Sequence, residues 1–178
     1  FAIQTMTLPD AFAGKDITGK AETGSGKTLA FGIPMLAHVG VASAKRPQGL
    51  ILVPTRELAN QVTKTLAPLL EAKHLTAVAV YGGAPMGPQI DALAAGASIA
   101  IATPGRLIDL LERKALIPSD ISIVTIDEAD QMADMGFMPQ VRRIMAQLPE
   151  ERQTFLFSAT LDHQVTELID RYMNNPVE

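Results

Sequence analysis

The segment Ala21-Glu22-Thr23-Gly24-Ser25-Gly26-Lys27-Thr28 has the composition of a loop that wraps phosphate. Gly24 and Gly26 let the backbone turn with its N–H groups aimed at phosphate oxygens, while Thr23 and Ser25 complete the cradle. Lys27 supplies a point charge to the outer phosphates, and Thr28 can give its hydroxyl to Mg²⁺ at a helix N-terminus. As a loop residue, Lys27 is expected to face solvent and to contribute little to the core. A second chemical segment is the apolar run Ile123-Val124-Thr125-Ile126 leading into Asp127-Glu128-Ala129-Asp130. Asp127 is placed to hold Mg²⁺, and Glu128 to orient or deprotonate an attacking water. An acidic helix start explains one carboxylate after a buried strand, but not three within four positions. Together the two segments point to a nucleoside triphosphate with magnesium, with Lys27, Asp127 and Glu128 as the catalytic candidates.

For those groups to meet, strands must deliver them to one edge. Ligand sites of parallel sheets lie beyond the strands' carboxyl ends. The chain offers strand-length apolar runs at Asp16–Thr18, Gly49–Val53, Thr76–Tyr81, Ser98–Ala102, Ile121–Ile126 and Gln153–Phe157. Four are nearly continuous in apolar or β-branched residues, as strands covered on both faces should be. Helical stretches separate them: Lys27–Ala42, Glu57–Lys73, Met86–Ala95, Gly105–Glu112, Phe137–Leu148 and His163–Met173. The alternation predicts an α/β fold, a mostly parallel sheet with helices on both faces. Pro68 lies on the apolar stripe of the second helix and should end or kink it. No repeat, low-complexity tract or linker-like run interrupts the chain, so residues 1–178 read as one domain.

Composition narrows the classes. With 178 residues, 47% hydrophobic, the chain can bury a core and is not disordered. A net charge of −4 offers no argument from basicity for nucleic-acid binding. The absence of cysteine excludes disulfides, thiolate zinc sites and cysteine nucleophiles, and fits a reducing, cytoplasmic setting. No apolar stretch reaches membrane-spanning length, and the first residues show no basic n-region before an apolar core, so no signal peptide is expected among them. His38, His74 and His163 are too scattered for a metal site, and no Gly-x-Ser-x-Gly elbow is present. Met132, Met135, Met138 and Met145 read as core filling. The scarcity of aromatic residues, 4% with no Trp, argues against a base-stacking surface.

In chain order, the phosphate loop, Pro54-Thr55-Arg56-Glu57-Leu58-Ala59, Gly82-Gly83, Thr103-Pro104-Gly105-Arg106, Asp127-Glu128-Ala129-Asp130 and Ser158-Ala159-Thr160 resemble the first-domain motifs of the DEAD-box ATP-dependent RNA helicases. Asp134-Met135-Gly136-Phe137 adds to the likeness, which spans almost the whole chain. The resemblance implies the first RecA-like domain, acting on RNA with ATP and Mg²⁺ once joined to a second RecA-like domain. Pro54, Thr55, Arg56, Gly82, Gly83, Thr103, Pro104, Gly105 and Arg106 would then grip the sugar-phosphate backbone of RNA without reading sequence. Ser158 and Thr160 would hydrogen-bond Asp130 and link the phosphate site to the RNA side. Gln4, after Ile3, resembles the close of the family's adenine-reading motif; the aromatic residue that the family places upstream of it has no counterpart here. Glu22 stands where the family usually has glutamine and is expected to face away from phosphate.

The family's arginine finger comes from the second domain, so this chain alone is expected to be nearly inactive as an ATPase and monomeric. Arg142 and Arg143 have no spacing argument that brings them to the phosphate. Two other readings stay open at this point: a different P-loop NTPase acting on DNA, and an ATP-dependent RNA clamp that does not unwind.

Overall fold

The computed structural model describes residues 2–22 and 26–178. Among them, six parallel strands form one sheet in the order β1-β6-β5-β2-β4-β3. The strands are β1 (Ile17–Lys20), β2 (Gly49–Leu52), β3 (Ala77–Val80), β4 (Ile99–Ala102), β5 (Ile123–Ile126) and β6 (Gln153–Ser158). Every ladder is parallel, so the expected mostly parallel sheet is wholly so among the described residues. The central strand β2 is buried at every residue, with Leu52 opposite both Ala102 and Ile126.

Strand alternation sends side chains into two separate cores. Leu50, Ala100, Val124 and Leu156 face one side, under α4 (Met86–Ala94), α5 (Pro104–Glu112), α6 (Ala129–Asp134), α7 (Met138–Met145) and α8 (His163–Tyr172). Ile51, Ile101, Ile123, Phe155 and Phe157 face the other, under α1 (Ala2–Phe12), α2 (Lys27–His38) and α3 (Arg56–Ala72). A Cβ at Gly32 would collide with Leu66, so that glycine lets α2 and α3 approach closely.

Several elements depart from expectation. The helix after the phosphate loop ends at His38, and residues 39–48 form a loop pinned by the Gln48 side chain, which accepts from Gly40 N–H at 2.8 Å and donates to Val41 O at 3.0 Å. Pro68 does not end α3, which runs to Ala72. The ring sits on an exposed face, where water can satisfy the carbonyl left without its N–H donor. Two short helices, α1 and α6, were not expected. Only Thr7 and Ala11 of α1 are buried, leaving no apolar stripe to read, and the six residues of α6 are too few for a helical period to show. Met132, Met138 and Met145 are in the core as expected, but Met135 is 45% exposed, because it closes α6 just before the left-handed turn at Gly136. No helix of the described residues is long and apolar enough to cross a membrane.

Candidate nucleotide site and nucleic-acid interface

All six strands present their carboxyl ends to the same edge, and the strand order sorts the motifs into two neighbouring groups. On one half, β1, β6 and β5 lead into the phosphate loop, Ser158 and the acids at 127–130. On the other, β2, β4 and β3 lead into Arg56, Thr103–Arg106 and Gly82-Gly83.

The first half is built on buried charge. Thr23, Gly24 and Ser25 lie outside the described residues. Gly26 ends the loop in a left-handed conformation, φ 82°, and α2 starts at Lys27. Contrary to the expectation of a solvent-facing lysine, Lys27 is 5% exposed: its side chain turns inward to the acids that follow β5. Its Nζ lies 2.9 Å from Asp127 Oδ1 and 3.2 Å from Glu128 Oε1, and both carboxylates are themselves buried. Burial pushes the Asp127 carboxyl above its ordinary range, against the pull of the Lys27 ammonium, and the Glu128 carboxylate pushes the same way. Asp127 is anchored by its own N–H, which donates to Leu52 O at 2.9 Å. Glu128 sits at φ 53°, ψ 52°, a left-handed conformation that costs an ordinary residue about 1–2 kcal/mol. That turn swings its side chain back beside Asp127 instead of letting helix α6 carry it away.

Around this cluster, Gln4 on α1 donates from Nε2 to Gly26 O at 3.2 Å, so the expected adenine reader also touches the end of the phosphate loop. Thr28 follows Lys27 in the first turn of α2, partly exposed. Ser158 closes β6, fully buried; its Oγ accepts from Asp130 N–H at 3.1 Å and donates to Thr160 O at 2.5 Å. Thr160 Oγ1 donates to Asp130 Oδ2 at 3.2 Å. The expected link of both hydroxyls to Asp130 is therefore present, through its carboxylate for Thr160 and through its main chain for Ser158, whose hydroxyl also acts on the carboxylate. Burial alone would raise the Asp130 carboxyl, but the Ser158 hydroxyl, the N–H groups of Gln131 and Ala159 and the Thr160 hydroxyl outweigh it and hold it below its ordinary 3.8. Glu22 lies beside the acid turn. Ala21 N–H continues the β1–β6 ladder by donating to Ser158 O at 3.0 Å, which carries exposed Glu22 to a cavity of about 400 Å³ that Glu128 and Asp130 also line.

The second half is an open cleft of about 450 Å³, lined by Pro54, Arg56, Gly82, Thr103, Pro104, Gly105 and Arg106. The Thr55 hydroxyl accepts from Leu58 N–H at 3.2 Å and so caps α3. Thr103, which lines the cleft at the start of α5, makes no such cap bond, so the Gly105 and Arg106 N–H groups that follow Pro104 are left uncapped beside it. Arg56 is exposed, with its guanidinium 5.6 Å from the centroid of the Tyr81 ring. Gly83 adopts φ 79°, a conformation that favours glycine, and a Cβ there would point at Arg56. Sequence reasoning missed Tyr81, Phe137, Gln140 and Gln89. The first three line the cleft, and Gln89 is buried beneath its Gly82-Gly83 wall, bonded to Tyr81 O and Arg106. A lone glutamine inside a helical stretch carries no sequence signal of such a role.

The model of the DEAD/DEAH box helicase family matches residues 1–168. The chain belongs to that family. It is 47% identical over 184 residues to the pre-mRNA-processing ATP-dependent RNA helicase prp5 of Aspergillus terreus, covering 99% of this chain and 16% of that protein. It is 44% identical to the DEAD-box ATP-dependent RNA helicase 9, mitochondrial, of Arabidopsis thaliana, covering 99% of this chain and 30% of that protein. The solved DEAD box protein from the hyperthermophile Methanococcus jannaschii superposes with a TM-score of 0.93 at 36% identity, over 98% of this chain and 48% of that one. The DEAD-box chain described here thus spans less than a third of the curated relatives' length and about half of the solved neighbour's. Its fold is the RecA-like domain of these proteins.

Among its described residues, no three His, Cys, Asp or Glu side chains cluster to hold a metal on their own. Asp127 and Thr28 supply hard oxygen donors, which suit Mg²⁺ shared with nucleotide phosphates and water rather than caged by protein.

Proposed function

We propose that this domain binds ATP·Mg²⁺ on its β1–β6–β5 half and the backbone of one RNA strand on its β2–β4–β3 half. In the longer protein it would belong to, ATP hydrolysis would then drive local separation or remodelling of RNA. The observation that supports this reading most is the adjacency of the Lys27–Asp127–Glu128 cluster and the Arg56–Arg106 cleft along one sheet edge, because a change at the phosphates can reach the strand ends that hold RNA. The Gly26 end of the loop and Lys27 take the β- and γ-phosphates, together with Thr23, Gly24 and Ser25. Gln4 reads adenine. Asp127 and Thr28 would hold Mg²⁺, which supplies charge neutralisation at the phosphates when bound.

Lys27 has to exchange carboxylate partners for phosphate. Nucleotide arrival therefore frees Asp127 for the metal and Glu128 for the water, whose proton Glu128 Oε accepts as the attack proceeds. The Asp130–Ser158–Thr160 network ties the acid turn to the end of β6 and is placed to pass the state of this site to the rest of the edge. A phosphate on the RNA half meets Arg56, Arg106, the Thr103 hydroxyl and the amides of α5, contacts that position a strand without reading its bases.

The decisive experiment is ATP turnover by the full-length protein with and without single-stranded RNA, alongside Glu128→Gln. RNA should stimulate turnover, and the variant should bind both ligands yet lose turnover by at least a hundredfold. Equal stimulation by single-stranded DNA would favour a DNA-acting NTPase, and RNA held in the ATP state without strand separation would favour a clamp.

A further inference from the structure

Gln89 is a buried polar side chain that the reading above does not use. It lies in α4, 7% exposed, and both ends of its amide are engaged. Nε2 donates to Tyr81 O at 3.1 Å, and Oε1 accepts from Arg106 Nη1 at 2.8 Å. Arg106 Nη2 in turn donates to Ala84 O at 3.1 Å. A carbonyl can only accept and a guanidinium can only donate, so one orientation of the amide satisfies both partners. Tyr81 and Ala84 flank Gly82-Gly83, and the loop is therefore fastened at one end to the Gln89 amide and at the other to the Arg106 guanidinium, which are themselves bonded to each other. Without these ties a glycine pair with no Cβ contacts at Gly82 and a left-handed Gly83 would be among the softest segments of the cleft.

The choice of partner matters as much as the contact. Arg113 and Arg143 are paired with the carboxylates of Asp109 and Glu112, which neutralise them. Arg106 is held by a neutral amide and a neutral carbonyl and makes no ion pair of its own at the wall of the cleft, where the lining carboxylate of Asp109 is already engaged by Arg113. Two of its five N–H donors are spent on fixing the plane, and the other three remain for a ligand. An oriented cation without an ion pair of its own, beside the exposed Arg56, calls for an anion.

We propose that Gln89 is a positioning residue for RNA-backbone binding. It holds Arg106 on neutral acceptors and locks the Gly82-Gly83 loop, so that guanidinium and loop present one rigid face to a phosphate. The proposal rests on the reading of this cleft as the RNA half of the edge.

The test is a double-mutant cycle in the full-length protein with Gln89→Met and Arg106→Leu. Affinity for a fluorescein-labelled single-stranded RNA is read by anisotropy across a salt series with a non-hydrolysable ATP analogue present. Gln89→Met should weaken RNA binding about tenfold. The log–log salt slope should fall by about 0.7, one phosphate contact on a single strand. Affinity for the ATP analogue without RNA should not change. In the Arg106→Leu background the same substitution should cost no further RNA affinity, since its effect runs through Arg106. Equal losses in both backgrounds, or no loss in either, would overturn the positioning role. If Arg106→Leu itself leaves RNA affinity intact, the reading of the cleft fails instead. Should Gln89→Met not fold, Gln89→Glu decides, because it keeps an acceptor for Arg106 but compensates its charge: a salt slope equal to that of the unsubstituted protein would sink the idea.

Discussion

The two halves of the sheet edge are made from similar backbone turns and opposite electrostatics. On the β1–β6–β5 half, one buried ammonium is clasped by two buried carboxylates, and each group depends on the others to stay charged away from water. On the β2–β4–β3 half, Arg56 is exposed and Arg106 leans on neutral oxygens, so removing either cation strands no counter-charge. The first half is a spring that a phosphate must release; the second is a cradle already open. The difference teaches where stability and ligand binding are coupled. Substitutions on the phosphate half should disturb both, whereas substitutions at the tip of the cleft should disturb binding alone.

The largest effect separates the domain from the longer protein. When the γ-phosphoryl leaves, its charge has to be met by an arginine finger, worth about 10³–10⁵ in rate. Among the described residues no arginine lines the cavity beside Glu128 and Asp130. Arg56 and Arg106 stand on the other half, Arg143 pairs with Glu112, and Arg152 is bonded to Pro149 O and Tyr172 O. Residues 1–178 should therefore turn over ATP at least a thousandfold more slowly than the RNA-stimulated full-length protein. A steady-state phosphate-release assay showing comparable rates would remove the need for a second domain.

Next comes Lys27→Ala. Nucleotide binding should fall below detection by calorimetry, and the folded state should lose about 3–5 kcal/mol at neutral pH, because two buried carboxylates are left facing each other. Part of that loss should return as pH falls, since protonating the already raised Asp127 removes one of the charges. A urea midpoint unchanged from the parent domain would mean that the cluster is solvated and that the contrast between the halves is false.

On the cleft side, Arg56→Ala should cut the salt slope of RNA binding by about 0.7 while moving stability by no more than about 0.5 kcal/mol, the usual range for an exposed substitution. A fall in the thermal midpoint as large as that of Lys27→Ala would erase the distinction.

The smallest effect concerns acid. Asp130 is held below its ordinary 3.8, so it contributes stability above that pH and loses it as pH falls through its folded value. Asp130→Asn should flatten the acid limb of the stability curve by lowering stability slightly at neutral pH while leaving the low-pH end little changed. Asp127 has the opposite sign, because its raised carboxyl makes the folded state relatively more favourable as it takes up a proton. If the acid limb is as steep in Asp130→Asn as in the parent, Thr160 and Ser158 do not hold that carboxylate in solution.

Much of this was legible in the chain. The alternation of apolar runs with helical stretches gave the parallel α/β sheet, since strands buried on both faces leave no polar face to encode. The chemistry-bearing residues stood at strand ends, where an apolar run stops abruptly at Gly, Pro, Asp or Ser. Local spacing carried that information because each motif is a single turn. Gln89, the exposed Met135 and the inward course of Lys27 were not legible, for none of them is decided within one turn. Which half of the edge each motif occupies was equally hidden: β2 lies between β4 and β5, and β1 beside β6, an order that the linear sequence does not spell. Sequence alone determined which groups exist and that each sits beyond a strand. Only the tertiary structure decided that Lys27 is buried against Asp127 and Glu128, 100 and 101 residues away, and that Arg106 rests on Gln89. The physical reason is that burial and pairing of charge depend on the order in which parallel strands stack, and that order follows from how two cores close over the sheet.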